Sequence, residues 1–187
     1  MISPKDKAAL RNQLWQTLDQ LSKLDQDNRS QKIQIHLKQF LIDHTFNLLG
    51  GFVPVRKEPN IWPLLEPLGP SLALPVYNPT LDLYEWGPFK PPLKQSKFNI
   101  PEPATAFKTP PTIEACLVPA LGIDNQGNRI GWGHGYFDRL ISKEIPIRIG
   151  VIYEAQKINA TFTPDPWDIP LTHIITEHGL KKLRLTK

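Results

Sequence analysis

The chain has 187 residues, a net charge of +4 and an ordinary 40% apolar content, enough for one full hydrophobic core and too little for a large multidomain machine. Its one cysteine, Cys116, rules out a disulfide framework or a thiolate metal cage within one chain. The small basic surplus suits an anionic ligand, whereas aromatic residues are not interleaved with Lys/Arg clusters as a nucleic-acid stacking platform requires.

Ser3-Pro4-Lys5-Asp6 reads as a helix start, with serine placed to cap and proline in the first turn. Leu10, Leu14, Leu18 and Leu21 then form one stripe. The polar stretch Asp25 to Arg29 is expected to break the helix, and a second amphipathic helix follows over roughly Ser30 to Thr45, with Ile33, Leu37, Phe40 and Leu41 inward. The pattern changes at Leu48. Leu48 to Val55 reads as a buried strand with an irregularity at Gly50-Gly51. Ile61 to Leu68 suggests a short helix, and Ser71 to Tyr77 and Leu81 to Trp86 read as strands joined by a turn at Asn78-Pro79. Gln95 to Pro111 looks irregular. Most of the 20 prolines fall between Pro54 and Pro119, so this middle third should consist of short elements and stiff extended turns.

Cys116 to Ile123 is strand-like, followed by a Gly-rich turn and a helix from about Gly135 to Ser142. Ile147 to Tyr153 and His173 to Thr176 read as further strands, and the Lys181 to Lys187 run as a solvated edge or tail. Strands alternating with helical segments predict an α/β layered domain, a single unit spanning 1–187 with the two N-terminal helices (4–46) packed on it. The N-terminus lacks a signal-peptide core and no apolar run approaches the ~20 residues of a membrane span, so a cytoplasmic protein is expected.

Two constellations point to chemistry. Arg129-Ile130-Gly131-Trp132-Gly133-His134-Gly135-Tyr136-Phe137-Asp138-Arg139 sets three glycines at alternate positions between a buried strand and a helix. Such a loop lets backbone N–H groups approach an anion, with Arg129 and Arg139 adding charge and Asp138 able to hold a divalent cation. The spacing is neither the dinucleotide nor the P-loop pattern. Separately, at roughly 100° per residue, Lys7 and Arg11 share a sector with Leu14 and Leu18. Two inward cations need an anionic partner, either a structural carboxylate or a polyphosphate. Glu58 follows a buried strand end, where ligands collect in α/β sheets. Asp168 lies in a proline-flanked turn. No histidine pair has metal-ligand spacing, and no G-x-S-x-G element is present.

The stretch Leu117-Val-Pro119-Ala-Leu-Gly-Ile-Asp124, with Gly127-Asn-Arg129 through Arg139, resembles the 5-formyltetrahydrofolate cyclo-ligase signature, V-P-G-x-x-F-D followed by G-x-R-x-G-x-G-x-G-Y-Y-D. Lys7-Ala-Ala-Leu10-Arg11 resembles the family's K-x-x-L-R, and Glu58-Pro-Asn its E-x-x-T. Asn99-Ile-Pro-Glu102-Pro103 is similar to G-I-P-E-P, and Asp168-Ile-Pro-Leu171 with Ile174-Ile-Thr-Glu177 to D-x-P-L-D-x-I-I-T-E. The resemblance implies a NagB/RpiA/CoA-transferase-like fold with a mostly parallel central sheet flanked by helices. It also implies an ATP-dependent ligase that converts 5-formyltetrahydrofolate to 5,10-methenyltetrahydrofolate, with Mg²⁺ as cofactor. By the same resemblance Lys7, Arg11 and the loop Arg129 through Phe137 would bind ATP. Arg129 and Tyr136 would be catalytic, Glu58 and Val53 would bind the folate, and Asp138 and Asp168 would hold the metal. A monomer without nucleic-acid or membrane partners is expected. The alternatives are another enzyme on the same scaffold, of phosphosugar isomerase or CoA-transferase type, and a relative that binds folate or nucleic acid without turnover. Phe137, Ala120, Ile123, Asn99 and Thr172 depart from the family pattern, as does Pro59-Asn60-Ile61.

Overall fold

The computed structural model describes residues 4–133, 135–160, 162–165 and 167–184, with side chains from Lys7 onward. The predicted cap Ser3 and the loop residue His134 lie outside them. Helix α1 (Pro4–Asp19) buries Lys7, Leu14 and Leu18 on one face, as the periodicity predicts. The break after it falls earlier than expected. Helix α2 runs Lys23–Asp43, so the polar stretch Asp25 to Arg29 is helical. The reason is a capping box. Ser22 Oγ accepts from the Asp25 N–H while the Asp25 carboxylate accepts from the Ser22 N–H, closing two of the donors a helix start leaves open. The inner face of α2 buries Ile33, Leu37 and Phe40.

Seven strands form the main sheet, in the order β12-β11-β9-β6-β1-β2-β3. They are β1 (Leu49–Gly50), β2 (Leu72–Asn78), β3 (Leu83–Pro88), β6 (Ala115–Pro119), β9 (Ile147–Val151), β11 (His173–Thr176) and β12 (Gly179–Lys182). The five inner strands pair in parallel and the two edges, β12 and β3, antiparallel. Parallel strands covered on both faces read as continuous apolar runs, and Ala115-Cys116-Leu117-Val118 is fully buried. The α/β class with a mostly parallel sheet is therefore as predicted.

Three strand assignments change. β1 is only two residues long, and residues 51–55 leave the sheet. An ideal Cβ on Gly50 would lie 2.8 Å from Trp86, so the tight packing there tolerates no side chain. The run Cys116 to Ile123 is two strands in two sheets: β6 ends at Pro119, and β7 (Gly122–Asp124) belongs to a separate sheet between β8 (Arg129–Ile130) and β10 (Lys157–Ile158). Gln156 secures the break, its side-chain amide donating to the carbonyls of Ala120 and Leu121. The irregular stretch after Gln95 contains a small hairpin, β4 (Lys94–Gln95) with β5 (Pro101–Glu102). The predicted helix at Ile61 is one turn, α3 (Trp62–Leu65), continued by a 3-10 segment over Glu66–Ser71. No helix among the described residues is long and apolar enough to cross a membrane.

The β7–β8 turn is held by Asp124. Its carboxylate, only 2% exposed, accepts from the backbone N–H groups of Gln126 and Asn128 and from the Asn128 amide, each at 2.9 Å. Removing it strands three donors, so Asp124→Ala is expected to cost about 3 kcal/mol of stability in a urea unfolding curve. A loss below about 1 kcal/mol would show that the turn does not depend on it.

Candidate active site

A cavity of about 1170 Å³ opens at the carboxyl ends of β1 and β6, where Phe52, Val53 and Pro119 line it. Helix α1 delivers Lys7 and Arg11 to its wall, and the segment after β8 delivers the glycine loop and α4 (Tyr136–Leu140). The decisive contact is between the two: Arg11 Nε donates to the Gly131 carbonyl at 3.1 Å, across 120 residues of sequence. Every described site residue predicted from sequence lies on this one cavity, from Lys7 and Arg11 through Val53, Glu58 and the glycine loop to Asp138 and Asp168. Ile130 is 2% exposed and packs in the core beneath the loop.

The glycines of the loop answer to geometry. Gly133 has φ +113, a conformation closed to side chains, and a Cβ on Gly131 would meet Arg129 Nη1 at 2.9 Å. The helix that follows spans only five residues, too short to supply the helix-terminus charge expected from the sequence. Positive charge in the cavity comes from side chains instead. Arg129 is nearly buried, pairs with Asp138 through Nη2 at 2.6 Å, and keeps a buried Nε without a hydrogen-bond acceptor among the described residues. An anion oxygen would complete that donor set. Lys7 is 8% exposed and pairs with Asp165 at 2.9 Å and Asp168 at 3.7 Å.

The acids divide into two groups. Burial raises the Asp168 carboxyl above its ordinary range; the nearby charges of Asp138 and Asp165 add to this, while the Asp165 N–H and Lys7 oppose it. Two neighbouring carboxylates on a cavity with cationic walls fit Mg²⁺, which keeps several waters and takes its remaining oxygens from a bound phosphate. Among the described residues no three His, Cys, Asp or Glu side chains form a complete cage. Glu58 stands apart. Burial pushes its carboxyl up to about 8, with the Val55 N–H and the Arg56 charge pulling the other way.

Tyr136 lies on the rim in an aromatic cluster, its ring 5.3 Å from Tyr84 and 5.5 Å from Phe98, and its hydroxyl donates to Asp82 at 3.1 Å. The Tyr84 hydroxyl is pushed up to about 12, chiefly by burial and then by the Glu102 charge. Sequence reasoning missed four residues here. Asp165 shares the Lys7 pair, Arg56 packs its guanidinium 4.3 Å over the Trp132 ring, and Tyr84 with Phe98 forms an aromatic wall. Only Asp165 left a trace, as a second acid three residues before Asp168.

A model of the 5-formyltetrahydrofolate cyclo-ligase family matches residues 3–177. The chain belongs to that family. A 5-formyltetrahydrofolate cyclo-ligase of Mycolicibacterium smegmatis is 27% identical, with 98% of this chain and 100% of the relative covered. One from Mycoplasma genitalium is 29% identical over 91% of this chain and 97% of its own. Among solved structures, the 5,10-methenyltetrahydrofolate synthetase of Aquifex aeolicus superposes with a TM-score of 0.81 at 26% identity, covering 97% of this chain and 94% of that one. The family resemblance read from the motifs is thereby borne out over nearly the whole chain.

Two departures from the cyclo-ligase pattern find physical explanations. Asn99, where the pattern has glycine, sits at φ +56 in the turn between β4 and β5, and asparagine is among the few residues that tolerate this region. Asn99→Gly is therefore expected to leave stability within about 0.5 kcal/mol, and Asn99→Val to cost about 1–2 kcal/mol in urea unfolding. Equal stability of the two variants would contradict the assignment. Thr172, where the pattern has a second aspartate, has taken a structural place: its hydroxyl accepts from the Arg148 N–H at 2.8 Å.

Proposed function

We propose that this cyclo-ligase family member converts 5-formyltetrahydrofolate to 5,10-methenyltetrahydrofolate, consuming ATP and releasing ADP and phosphate. The observation that carries the reading is the meeting of Lys7 and Arg11 from the chain's beginning with Arg129 and the glycine loop on one cavity. The volume, about 1170 Å³, exceeds the range usual for one small ligand and leaves room for two substrates.

The formyl group on N5 is amide-like, so its oxygen is a poor leaving group. Transfer of the ATP γ-phosphoryl to that oxygen makes it a good one. Attack of N10 on the formyl carbon then closes the ring, N10 gives up its proton, and the C–O bond breaks to release phosphate carrying the original formyl oxygen. The protein's part is positioning and charge neutralisation. Lys7, Arg11 and Arg129 hold the phosphates, and the loop through Phe137 wraps the nucleotide. His134 belongs to that loop by sequence. Tyr136 faces the formyl group, Glu58 accepts from the amino groups of the pterin, and Val53 lines the same pocket. Asp138 and Asp168 would hold Mg²⁺, which supplies further neutralisation of the phosphates when bound. Every residue invoked comes from one chain, which reads as a single domain needing no second copy.

The test is direct. Purified protein is mixed with 5-formyltetrahydrofolate and Mg-ATP while the absorbance of the methenyl product is followed, with ATP omitted as control. Absorbance should rise only when ATP is present. A flat trace with both substrates, from folded protein, rejects the reading.

A further inference from the structure

We propose that Arg56 is a positioning residue that couples the folate half of the cavity to the nucleotide half. The proposal rests on the reading of Glu58 as the pterin anchor and of the glycine loop as the nucleotide binder.

Residues 55–58 form a turn closed twice over. The Glu58 N–H donates to the Val55 carbonyl at 3.1 Å, and the Val55 N–H donates to Glu58 Oε2 at 2.9 Å. Arg56 occupies this turn at φ +53, a conformation uncommon for a side chain with a Cβ, so the turn sets the direction in which the side chain carrying the guanidinium leaves the backbone. It points at two tryptophans. Its central carbon lies 4.3 Å from the Trp132 ring centroid and 5.7 Å from that of Trp15, and the two rings meet edge-on at 5.5 Å.

These three side chains come from three of the segments that contribute residues to the cavity. Trp15 is on α1, one turn beyond Arg11; Trp132 lies between Gly131, whose carbonyl holds Arg11, and Gly133; and Arg56 is two residues from Glu58. A heterocycle that hydrogen-bonds the Glu58 carboxyl acts on the very group that closes the Arg56 turn. The planar guanidinium then transmits the state of that turn to the glycine loop through its stack on Trp132. Coupling of this kind is reciprocal: whatever folate does for nucleotide affinity, nucleotide does for folate affinity.

Calorimetric titrations test it, using 5-formyltetrahydrofolate and the non-hydrolysable β,γ-imido analogue of ATP with Mg²⁺, each alone and then each in the presence of the other. The wild type should show each ligand tightening the other by about fivefold or more. Arg56→Gly, which removes the side chain without straining the left-handed turn, should lower that factor to under about twofold while each separate Kd moves by less. Arg56→Lys, which keeps a cation but loses the planar stack, should fall between. An unchanged factor in Arg56→Gly overturns the proposal. So does a loss confined to the separate affinities, which would make Arg56 a mere prop. A wild type that binds both ligands without mutual tightening sinks this inference and leaves the proposed function standing. A wild type that binds neither sinks both.

Discussion

Lys7→Ala is expected to lower turnover at saturating folate at least ~10-fold, about 1.4 kcal/mol of barrier. The loss has two sources. The variant gives up a nearly buried cation that neutralises phosphate charge, and it leaves Asp165 and Asp168 on the cavity with no positive partner at 2.9 and 3.7 Å. Arg129→Ala should cost at least as much turnover, because it removes from the cavity wall a cation whose Nη2 is anchored on Asp138. This second variant should also unfold more easily, by about 3 kcal/mol, since Asp138 is left with its charge largely desolvated. Rates are therefore compared at a temperature where circular dichroism shows both variants folded. Wild-type rates from both would remove these positions from the site.

Glu58→Gln should change how stability depends on pH. In the unfolded chain this carboxyl ionises near 4.5; in the folded protein burial delays ionisation to about 8. Between those values the unfolded chain has lost the proton and the folded protein keeps it, so each step upward in pH favours unfolding. Below 4.5 both states are protonated and nothing is lost. Above about 8 both are ionised and the loss is complete. Discounted for water reaching the cavity, the loss amounts to ~2–3 kcal/mol. Glutamine cannot ionise, so Glu58→Gln should gain on the wild type by about that amount between pH 4.5 and 8.5 in urea unfolding. A gap that stays constant across this window would mean that Glu58 is not held neutral. The same substitution should weaken 5-formyltetrahydrofolate binding, separating the group's cost to the fold from its use.

Much of the site was legible because its components obey local rules. Lys7 and Arg11 lie on a regular helix, so 100° arithmetic placed them inward beside Leu14 and Leu18, and the structure buries Lys7 on that face. The glycine loop is marked by its spacing, and its described residues line the cavity. What the sequence hid was set by distant partners. Asp165 reads as a loop acid until Lys7 arrives from 158 residues away. Arg56 stays exposed, and only the fold brings its guanidinium to two tryptophans from other segments. The apolar run through Cys116 to Ile123 carries only Pro119 and Gly122 as marks of its division, because both sheets bury their strands and the Gln156 amide secures the break. The early start of α2 was, by contrast, readable in Ser22 and Asp25, whose spacing is that of a capping box.

The edge strand β12 has a consequence outside catalysis. Leu180, Lys181 and Lys182 are all exposed on this strand, which among the described residues pairs with β11 alone. An open backbone rim of this kind invites a second molecule to extend the sheet, and adjacent ammonium groups make that union electrostatically costly. The C-terminal lysines thus act as a fence against fibre-like stacking, most needed while the chain is newly made and its hydrophobic interior is not yet sealed.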